Sequence, residues 1–127
     1  MSSAASQTSY HTITPYLVIR DVARELAFVA AAFDARETLR MERPNGTIAH
    51  AEVMIGDSVV MMGEPESEHE LMPAMLSMRV DDVDAAYQRA LTAGAESTRE
   101  PADQSYGERS AGVRDATGTI WYLAAPL

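Results

Sequence analysis

The sequence predicts an α+β fold made of two tandem βαβββ modules, and three observations support this. Residues 18–40 and 78–100 read alike: each starts at a strand end, passes through an Asp-Val step into a helical pattern, and ends on a strand opening with ETLR or ESTR. Three short strand patterns follow each helix. Turn sequences, of which Asn45-Gly46 is the strongest, separate these strands. The patterns therefore predict the same module twice in one chain.

Each of the two helices is predicted to start at an aspartate. Asp21 and Asp82 stand directly before the helical patterns, where a carboxylate can accept hydrogen bonds from the free amides of the first turn. Gly94 is a typical helix stop for the second pattern. Apolar residues recur at helical spacing in both segments, namely Val22, Leu26, Val29 and Phe33 in the first and Val83, Tyr87, Ala90 and Leu91 in the second.

The same reading predicts the strands and the domain boundaries. The strands after the first helix are expected at about 37–43, 47–55 and 58–63, and those after the second at about 96–100, 108–115 and 119–125. Module 1 then spans about 13–63 and module 2 about 74–127, within a single domain of 13–127. The acidic, proline-containing segment 64–73 is the predicted linker, and the Ser/Thr-rich residues 1–12 are expected to be a flexible lead-in.

Composition restricts the class of protein. Hydrophobic residues make up 46% and charged residues 23% of the chain, which is typical of a folded domain. The chain has no cysteine, which excludes disulfides and thiolate chemistry. Its formal net charge of −9 argues against a nucleic-acid partner. No apolar run is long enough to span a bilayer and no signal-peptide pattern is present, so we expect a cytoplasmic protein with no membrane partner.

The repeated pattern resembles the vicinal oxygen chelate superfamily, which holds glyoxalase I, bleomycin-resistance proteins and extradiol dioxygenases, and most closely its PhnB-like branch. The resemblance implies that the two modules form one cupped mixed sheet with helices on its convex side. It also implies a ligand on the concave side and a homodimer. The segments that carry it are TPYLVIRD, AHAEVMIGDSVVMM, RVDDVDAAYQRALTAGA, DQSYGERSAGVRD and GTIWYLA.

Hairpin geometry predicts which side chains line the cup. A two-residue turn at Gly56-Asp57 pairs Glu52 with Met61, and paired residues share a face of the sheet. Across the DATG turn, the predicted pairing of Tyr122 with Ala111 puts Arg109 on the concave side. The predicted ligand-binding residues are Tyr16, Leu39, Met41, Arg43, His50, Glu52, Met54, Met61, Met75, Ser77, Arg79, Tyr106, Arg109, Trp121 and Tyr122.

No metal or cofactor is expected in this cup. In metal-dependent relatives, as the resemblance implies, one inward position on each of four strands supplies a ligand. Those positions here are Thr14, Met61, Met75 and Tyr122. None of them carries the imidazole or carboxylate that divalent ions require.

Two observations bear on function and leave alternatives open. His50 and Glu52 share a strand face, where they form either an acid/base pair or the polar lining of a pocket. Four methionines fall on the predicted concave face, where thioethers suit apolar or aromatic ligands, unless they pack a core or a dimer interface.

These observations, with the resemblance to bleomycin-resistance proteins, favour a homodimer that sequesters a bulky, largely apolar or aromatic small molecule, such as an antibiotic or natural product. One alternative is an enzyme of the same superfamily, metal-free or metal-dependent, that is glyoxalase-, isomerase- or dioxygenase-like and uses His50 and Glu52. Another is a regulatory or interaction module whose function is dimerisation itself.

Overall fold

The computed structural model describes residues 10–127, and the order of elements within this range is βαβββ followed by βαβββ. This order confirms the predicted α+β class and the two tandem modules. The elements are β1 (Tyr16–Val18), α1 (Val22–Phe33), β2 (Arg36–Glu42), β3 (Ile48–Ile55), β4 (Ser58–Gly63), a short 3₁₀ turn (Glu68–Glu70), β5 (Met75–Arg79), α2 (Val83–Thr92), β6 (Glu96–Asp103), β7 (Glu108–Arg114) and β8 (Ile120–Pro126).

Each module forms its own four-stranded mixed sheet. Sheet 1 has the strand order β1-β4-β3-β2, and sheet 2 has the equivalent order β5-β8-β7-β6. In both, the first strand runs parallel to the last strand of its module and the remaining pairs are antiparallel. The cupped sheet implied by the resemblance is therefore present in this chain as two four-stranded sheets, which share no strand pairing within residues 10–127.

Both helices begin as the sequence predicts. The Asp21 carboxylate accepts a hydrogen bond of 3.1 Å from the backbone amide of Arg24, and that of Asp82 accepts one of 3.1 Å from the amide of Ala85. Asp21 does so with a φ of 53°, in the left-handed region that aspartate tolerates better than most residues. Gly94, with a φ of 110°, follows the end of α2. No helix within residues 10–127 is long and apolar enough to cross a membrane.

One hydrophobic core joins the two modules, and the helices lie at its centre. Helix α1 packs against α2, and the Arg89 guanidinium donates a hydrogen bond of 3.1 Å to the carbonyl oxygen of Ala32. The rings of Phe33 in α1 and Trp121 in β8 have centroids 5.0 Å apart, so the core continues from one module into the other. Since each helix covers one face of its own sheet, the opposite face of each sheet points away from this core.

A buried carboxyl pair also ties the modules together. Glu25 on α1 is 1% exposed, and its side chain meets that of Asp115, at the turn between β7 and β8. Asp115 accepts hydrogen bonds from the amide of Thr119 and from the indole N–H of Trp121. Burial, together with the neighbouring Asp115 carboxylate, raises the pKa of Glu25 to about 9, so Glu25 is protonated at neutral pH.

The turn between β7 and β8 corrects one predicted register. The Asp115 amide donates a hydrogen bond of 2.9 Å to the Thr119 carbonyl, which closes a loop of residues 116–118 with Gly118 at a φ of 99°. The prediction assumed a two-residue turn. One extra loop residue shifts the pairing by one position, so Tyr122 pairs with Gly112 rather than Ala111.

Candidate functional site

The outward faces of the two sheets carry most of the predicted ligand-binding residues, but on two separate surfaces. We call the outward face of sheet 1 face A and that of sheet 2 face B. Face A comprises Tyr16, Leu39, Met41, His50, Glu52, Met54 and Met61. Face B comprises Met75, Ser77, Arg79, Arg99, Ser110 and Tyr122, with Tyr106 joining it from the turn between β6 and β7. Within one chain the faces point away from each other, because both helix-covered faces turn toward the shared core.

A hydrogen-bonded network occupies the centre of face A. The ring nitrogen Nε2 of His50 lies 2.7 Å from Oε2 of Glu52, and Nδ1 lies 3.0 Å from the Tyr16 hydroxyl. Because His50 and Glu52 are two residues apart on β3, strand alternation puts both on this face, as predicted. Glu52 is buried, whereas His50 stays partly accessible. The arrangement orients the imidazole from both ring nitrogens, so the same network suits a ligand-orienting contact or proton transfer.

The N-terminal segment reaches this network. The Tyr10 hydroxyl donates a hydrogen bond of 2.6 Å to Oε1 of Glu52. Residues 1–12 were predicted to be a flexible lead-in. Residues 1–9 lie outside the described part of the chain, whereas Tyr10 contributes to burying the Glu52 carboxylate. Sequence reasoning did not include Tyr10 in the site, since nothing in the local pattern places residue 10 against β3.

Large apolar side chains are exposed around the polar network of face A. Tyr16 is 44% exposed and Met41 is 55% exposed. Met41 pairs across the ladder with His50, and Met61 pairs with Glu52, which confirms the predicted register of both hairpins at these positions. The face therefore presents flexible thioethers and a phenol ring beside a few directed polar groups.

Arg43 contributes to the rim of sheet 1 rather than to the network. Its guanidinium donates to the Thr47 hydroxyl at 3.1 Å and to the carbonyl oxygen of Glu64 at 2.9 Å. These bonds tie the turn between β2 and β3 to the chain that follows β4. The predicted role in ligand binding stays a prediction for this residue.

Face B carries a chain of three hydroxyl groups. The Tyr106 hydroxyl lies 3.0 Å from that of Tyr122, which donates a hydrogen bond of 2.8 Å to the Ser110 hydroxyl. The hydrogen bond with Ser110 and, to a smaller extent, the one with Tyr106 lower the pKa of Tyr122 below its ordinary value. The contact with Tyr122 in turn raises the pKa of Tyr106.

Arg99 lies over the ring of Tyr122, with its guanidinium carbon 5.8 Å from the ring centroid. It reaches this position because Gly112, which lies between the two residues in the ladder, has no side chain. Sequence reasoning missed Arg99, since strand β6 changes register twice between Ser97 and Ala102 and simple alternation fails there. It missed Ser110 because of the one-residue error at the following turn.

Two predicted site residues belong elsewhere. Arg109 does not share a face with Tyr122: it pairs with Ala125 and holds Asp84 on α2 through two hydrogen bonds of 2.7 and 2.9 Å. The physical reason is the three-residue turn, which reverses the side of β7 on which Arg109 projects. Trp121 is 2% exposed and packs in the core, where it donates to Asp115, because its neighbour Tyr122 takes the outward position.

The chemistry of the donor groups does not fit the metal that related folds use. The positions matched to metal ligands are Thr14, Met61, Met75 and Tyr122, and a thioether is a poor ligand for divalent ions. Within residues 10–127 no three His, Asp or Glu side chains converge on one point.

A cleft of about 710 Å³ opens between the modules, away from the face A network. Its walls include the turn between β3 and β4, the end of α1 and the start of α2. Much of its lining is charged, unlike the mostly apolar lining of small-molecule pockets. Ser77 and Arg79 of face B reach its rim. The charged residues that line it are Asp34, Asp57, Asp81, Asp82, Arg79 and Arg89.

Comparison with known families and proteins identifies relatives of the whole fold. The family model for the Glyoxalase/Bleomycin resistance protein/Dioxygenase superfamily matches residues 9–123. The uncharacterized protein Mb0911c of Mycobacterium bovis is 36% identical over 126 residues, which cover 91% of this chain and 83% of that protein. The uncharacterized protein Rv0887c of Mycobacterium tuberculosis is likewise 36% identical, with 91% of this chain and 74% of that protein covered.

Solved structures show the same fold. TioX from Micromonospora sp. ML1 superposes with a TM-score of 0.77 at 26% identity, covering 94% of this chain and 99% of TioX. The fosfomycin resistance protein FosX from Mesorhizobium loti superposes with a TM-score of 0.66 at 22% identity, covering 92% of each chain. At that identity the likeness to FosX concerns the fold alone.

Proposed function

Because the chain belongs to the glyoxalase/bleomycin resistance protein/dioxygenase superfamily, we propose that it binds a bulky, largely apolar or aromatic small molecule. In this proposal the protein is a cytoplasmic homodimer that needs no metal ion. The bound compound is an antibiotic or another natural product, which the protein sequesters from its target. The assignment to the PhnB-like branch stays a prediction.

The exposure of large apolar side chains on the two faces carries the proposal. Met41 on face A is 55% exposed and Met75 on face B is 63% exposed, and a tyrosine accompanies each of them. Exposing such residues to water has a free-energy cost, and clusters of them often mark binding sites. Methionine also adapts its shape to flat or irregular ligands. Sparse polar groups among apolar ones are the usual composition of a small-molecule site.

The direction of the faces supports a homodimer. Each face is open on one side, and a small-molecule site normally encloses most of its ligand. The two faces of one chain point away from each other, so they do not close on a common ligand. A second copy would bring its face B opposite face A of the first copy and create two equivalent sites by two-fold symmetry.

The face A network favours a second candidate function, a metal-free acid/base enzyme. His50 is held between the Glu52 carboxylate at 2.7 Å and the Tyr16 hydroxyl at 3.0 Å. A histidine oriented in this way can take and return a proton. Loss of turnover in both His50→Ala and Glu52→Ala, with ligand binding retained, would favour this function over sequestration.

Binding is tested first by native mass spectrometry of the protein purified from its own host, followed by thermal-shift screening of polycyclic and drug-like compounds. We expect a dimer that carries an organic mass, and stabilisation by compounds of that chemical class. Met41→Gln and Met75→Gln should weaken binding by about tenfold, because each places an amide against the ligand. Met72→Gln is the matched control, since Met72 is exposed but lies in the linker.

Two results would overturn sequestration. One is the lack of any co-purifying organic compound together with the lack of any stabilising compound in the screen. The other is equal binding by the Met41, Met75 and Met72 variants, which would mean that the ligand lies on another surface. A monomer at all working concentrations would contradict the homodimer.

A further inference from the structure

Face B carries two arginines that form no ion pair with a carboxylate in the described part of the chain. In the described residues, four of the arginines form ion pairs with carboxylates: Arg20, Arg40, Arg89 and Arg109. Arg79 and Arg99 form none among residues 10–127, and both are exposed on face B. Arg24, Arg36, Arg43 and Arg114 form none in this range either, so the positions of Arg79 and Arg99 on face B, rather than the lack of an ion pair, set these two residues apart.

Arg79 and Arg99 lie on the two edge strands of sheet 2, on either side of Tyr122. Ser77, Tyr122, Gly112 and Arg99 form one row across the four strands of sheet 2, and Arg79 stands in the adjacent row beside Ala124. The Arg99 guanidinium already lies 5.8 Å from the centre of the Tyr122 ring. The Tyr122 hydroxyl therefore has the Arg99 guanidinium over its own ring and a second arginine, Arg79, on the neighbouring strand β5.

Resting on the proposed function, we infer that the ligand carries an anionic group, a carboxylate, phosphate or sulfonate, which is held over Tyr122 by Arg99 and Arg79. Guanidinium groups bind such oxyanions through paired, charge-assisted hydrogen bonds. The Tyr106 and Tyr122 hydroxyls supply neutral donors that can turn toward the same oxygens. The apolar part of the ligand then extends over the methionines.

The overall charge of the protein bears on how an anionic ligand could bind. A net charge of −9 repels anions from the surface as a whole, so an anionic ligand needs local cations to bind. Glu96 stands opposite Arg114, in the row next to that of Arg99, and forms no ion pair with Arg99 within residues 10–127. Glu108 lies near Tyr122 at the other end, but its influence on that hydroxyl is smaller than that of Arg99.

Two fluorescent probes that differ by one group test the inference. 8-Anilinonaphthalene-1-sulfonate carries a sulfonate, and N-phenyl-1-naphthylamine has the same rings without it. Titrations with both probes are compared for the wild type, Arg99→Gln, Arg79→Gln and the control Arg24→Gln. Arg24 is an exposed arginine on α1 that likewise forms no ion pair in the described range, so the control removes the same charge far from face B.

The expected result is a selective loss. Arg99→Gln and Arg79→Gln should each weaken binding of the sulfonate probe by about tenfold and leave the neutral probe within about twofold. Arg24→Gln should change neither probe. Added salt should weaken the sulfonate probe in the wild type and have less effect in the Arg99 variant. Competition by benzoate and by phenyl phosphate then distinguishes a carboxylate ligand from a phosphate ligand.

Other outcomes separate this inference from the function on which it rests. If both probes bind equally and the face B variants change neither affinity, the anionic group is wrong, whereas the apolar binding site stands. If neither probe binds the wild type, both the site and the inference fail. If Arg24→Gln weakens the sulfonate probe as much as Arg99→Gln, the effect is one of net charge, and the inference fails.

Discussion

Replacing Glu25 by glutamine should remove most of one pH-dependent contribution to stability. Glu25 is 1% exposed in the core between the modules, and burial, together with the neighbouring Asp115 carboxylate, raises the pKa of its carboxyl to about 9. Its Oε2 has no hydrogen-bond partner among the described residues. Glutamine has nearly the same shape, stays neutral at every pH and keeps an N–H donor for the Asp115 carboxylate.

The sign and size of the effect follow from linkage. A carboxyl whose pKa is raised in the folded state contributes its full stability below its ordinary pKa of 4.5, and that contribution is lost as pH rises toward about 9. Within this window the folding equilibrium constant falls about tenfold for each pH unit through this group alone. Between pH 5.5 and pH 7.5 the difference in unfolding free energy between Glu25→Gln and the wild type should therefore change by about 3 kcal/mol, in favour of the variant.

Urea unfolding at several pH values between 5.5 and 7.5 measures this difference. Glu42→Gln is the matched control, because Glu42 is exposed on β2 and its substitution makes the same change in charge. Stability differences for the control should stay nearly constant with pH. Parallel stability profiles for the wild type and Glu25→Gln would refute the reasoning, since they would mean that Glu25 titrates alike in the folded and unfolded chains.

Other substitutions test local features of the fold. Gly63→Ala should cost about 1–3 kcal/mol in thermal or urea unfolding, because an added Cβ would lie 2.5 Å from a backbone oxygen of β3, which has little room to move. Gly112→Ala meets the Thr98 hydroxyl at the same distance, so adding Thr98→Ala should restore its stability; a lack of rescue would contradict this contact. Asp82→Ala should lower the unfolding free energy by about 1 kcal/mol through loss of the helix cap. Trp121→Phe should cost about 2 kcal/mol or more, because a buried carboxylate loses a donor, and an unchanged melting temperature would place the indole outside the core.

Much of the fold was predictable from the sequence, because local patterns determine it. The helices start at Asp21 and Asp82 as expected, where the carboxylate caps the first turn. The hairpin at Gly56-Asp57 has the predicted register, and so Glu52 pairs with Met61. Alternation along β3 then puts His50 and Glu52 on one face, where the structure joins them by a short hydrogen bond.

What escaped prediction depended on single residues or on distant parts of the chain. One additional loop residue before Thr119 moved Arg109 to the opposite side of its sheet, because strand faces alternate with every residue. Arg99 was not predicted because bulges in β6 change the register, and the simple alternation of side chains between the two faces of the strand fails there. The contact of Tyr10 with Glu52 spans 42 positions, and no local pattern encodes it.

Placing both helices between the sheets has a consequence for how proteins of this fold diverge. Along β5, Leu76 and Met78 pack against the shared core, while Met75, Ser77 and Arg79 project to the opposite side. Alternate residues of the same strand thus determine stability and ligand choice. During evolution the outward-facing residues can be substituted without changing the packing of the core. Specificity for a new ligand can therefore arise at little cost in folding stability. This separation offers a physical reason why one duplicated module underlies a family of such varied chemistry.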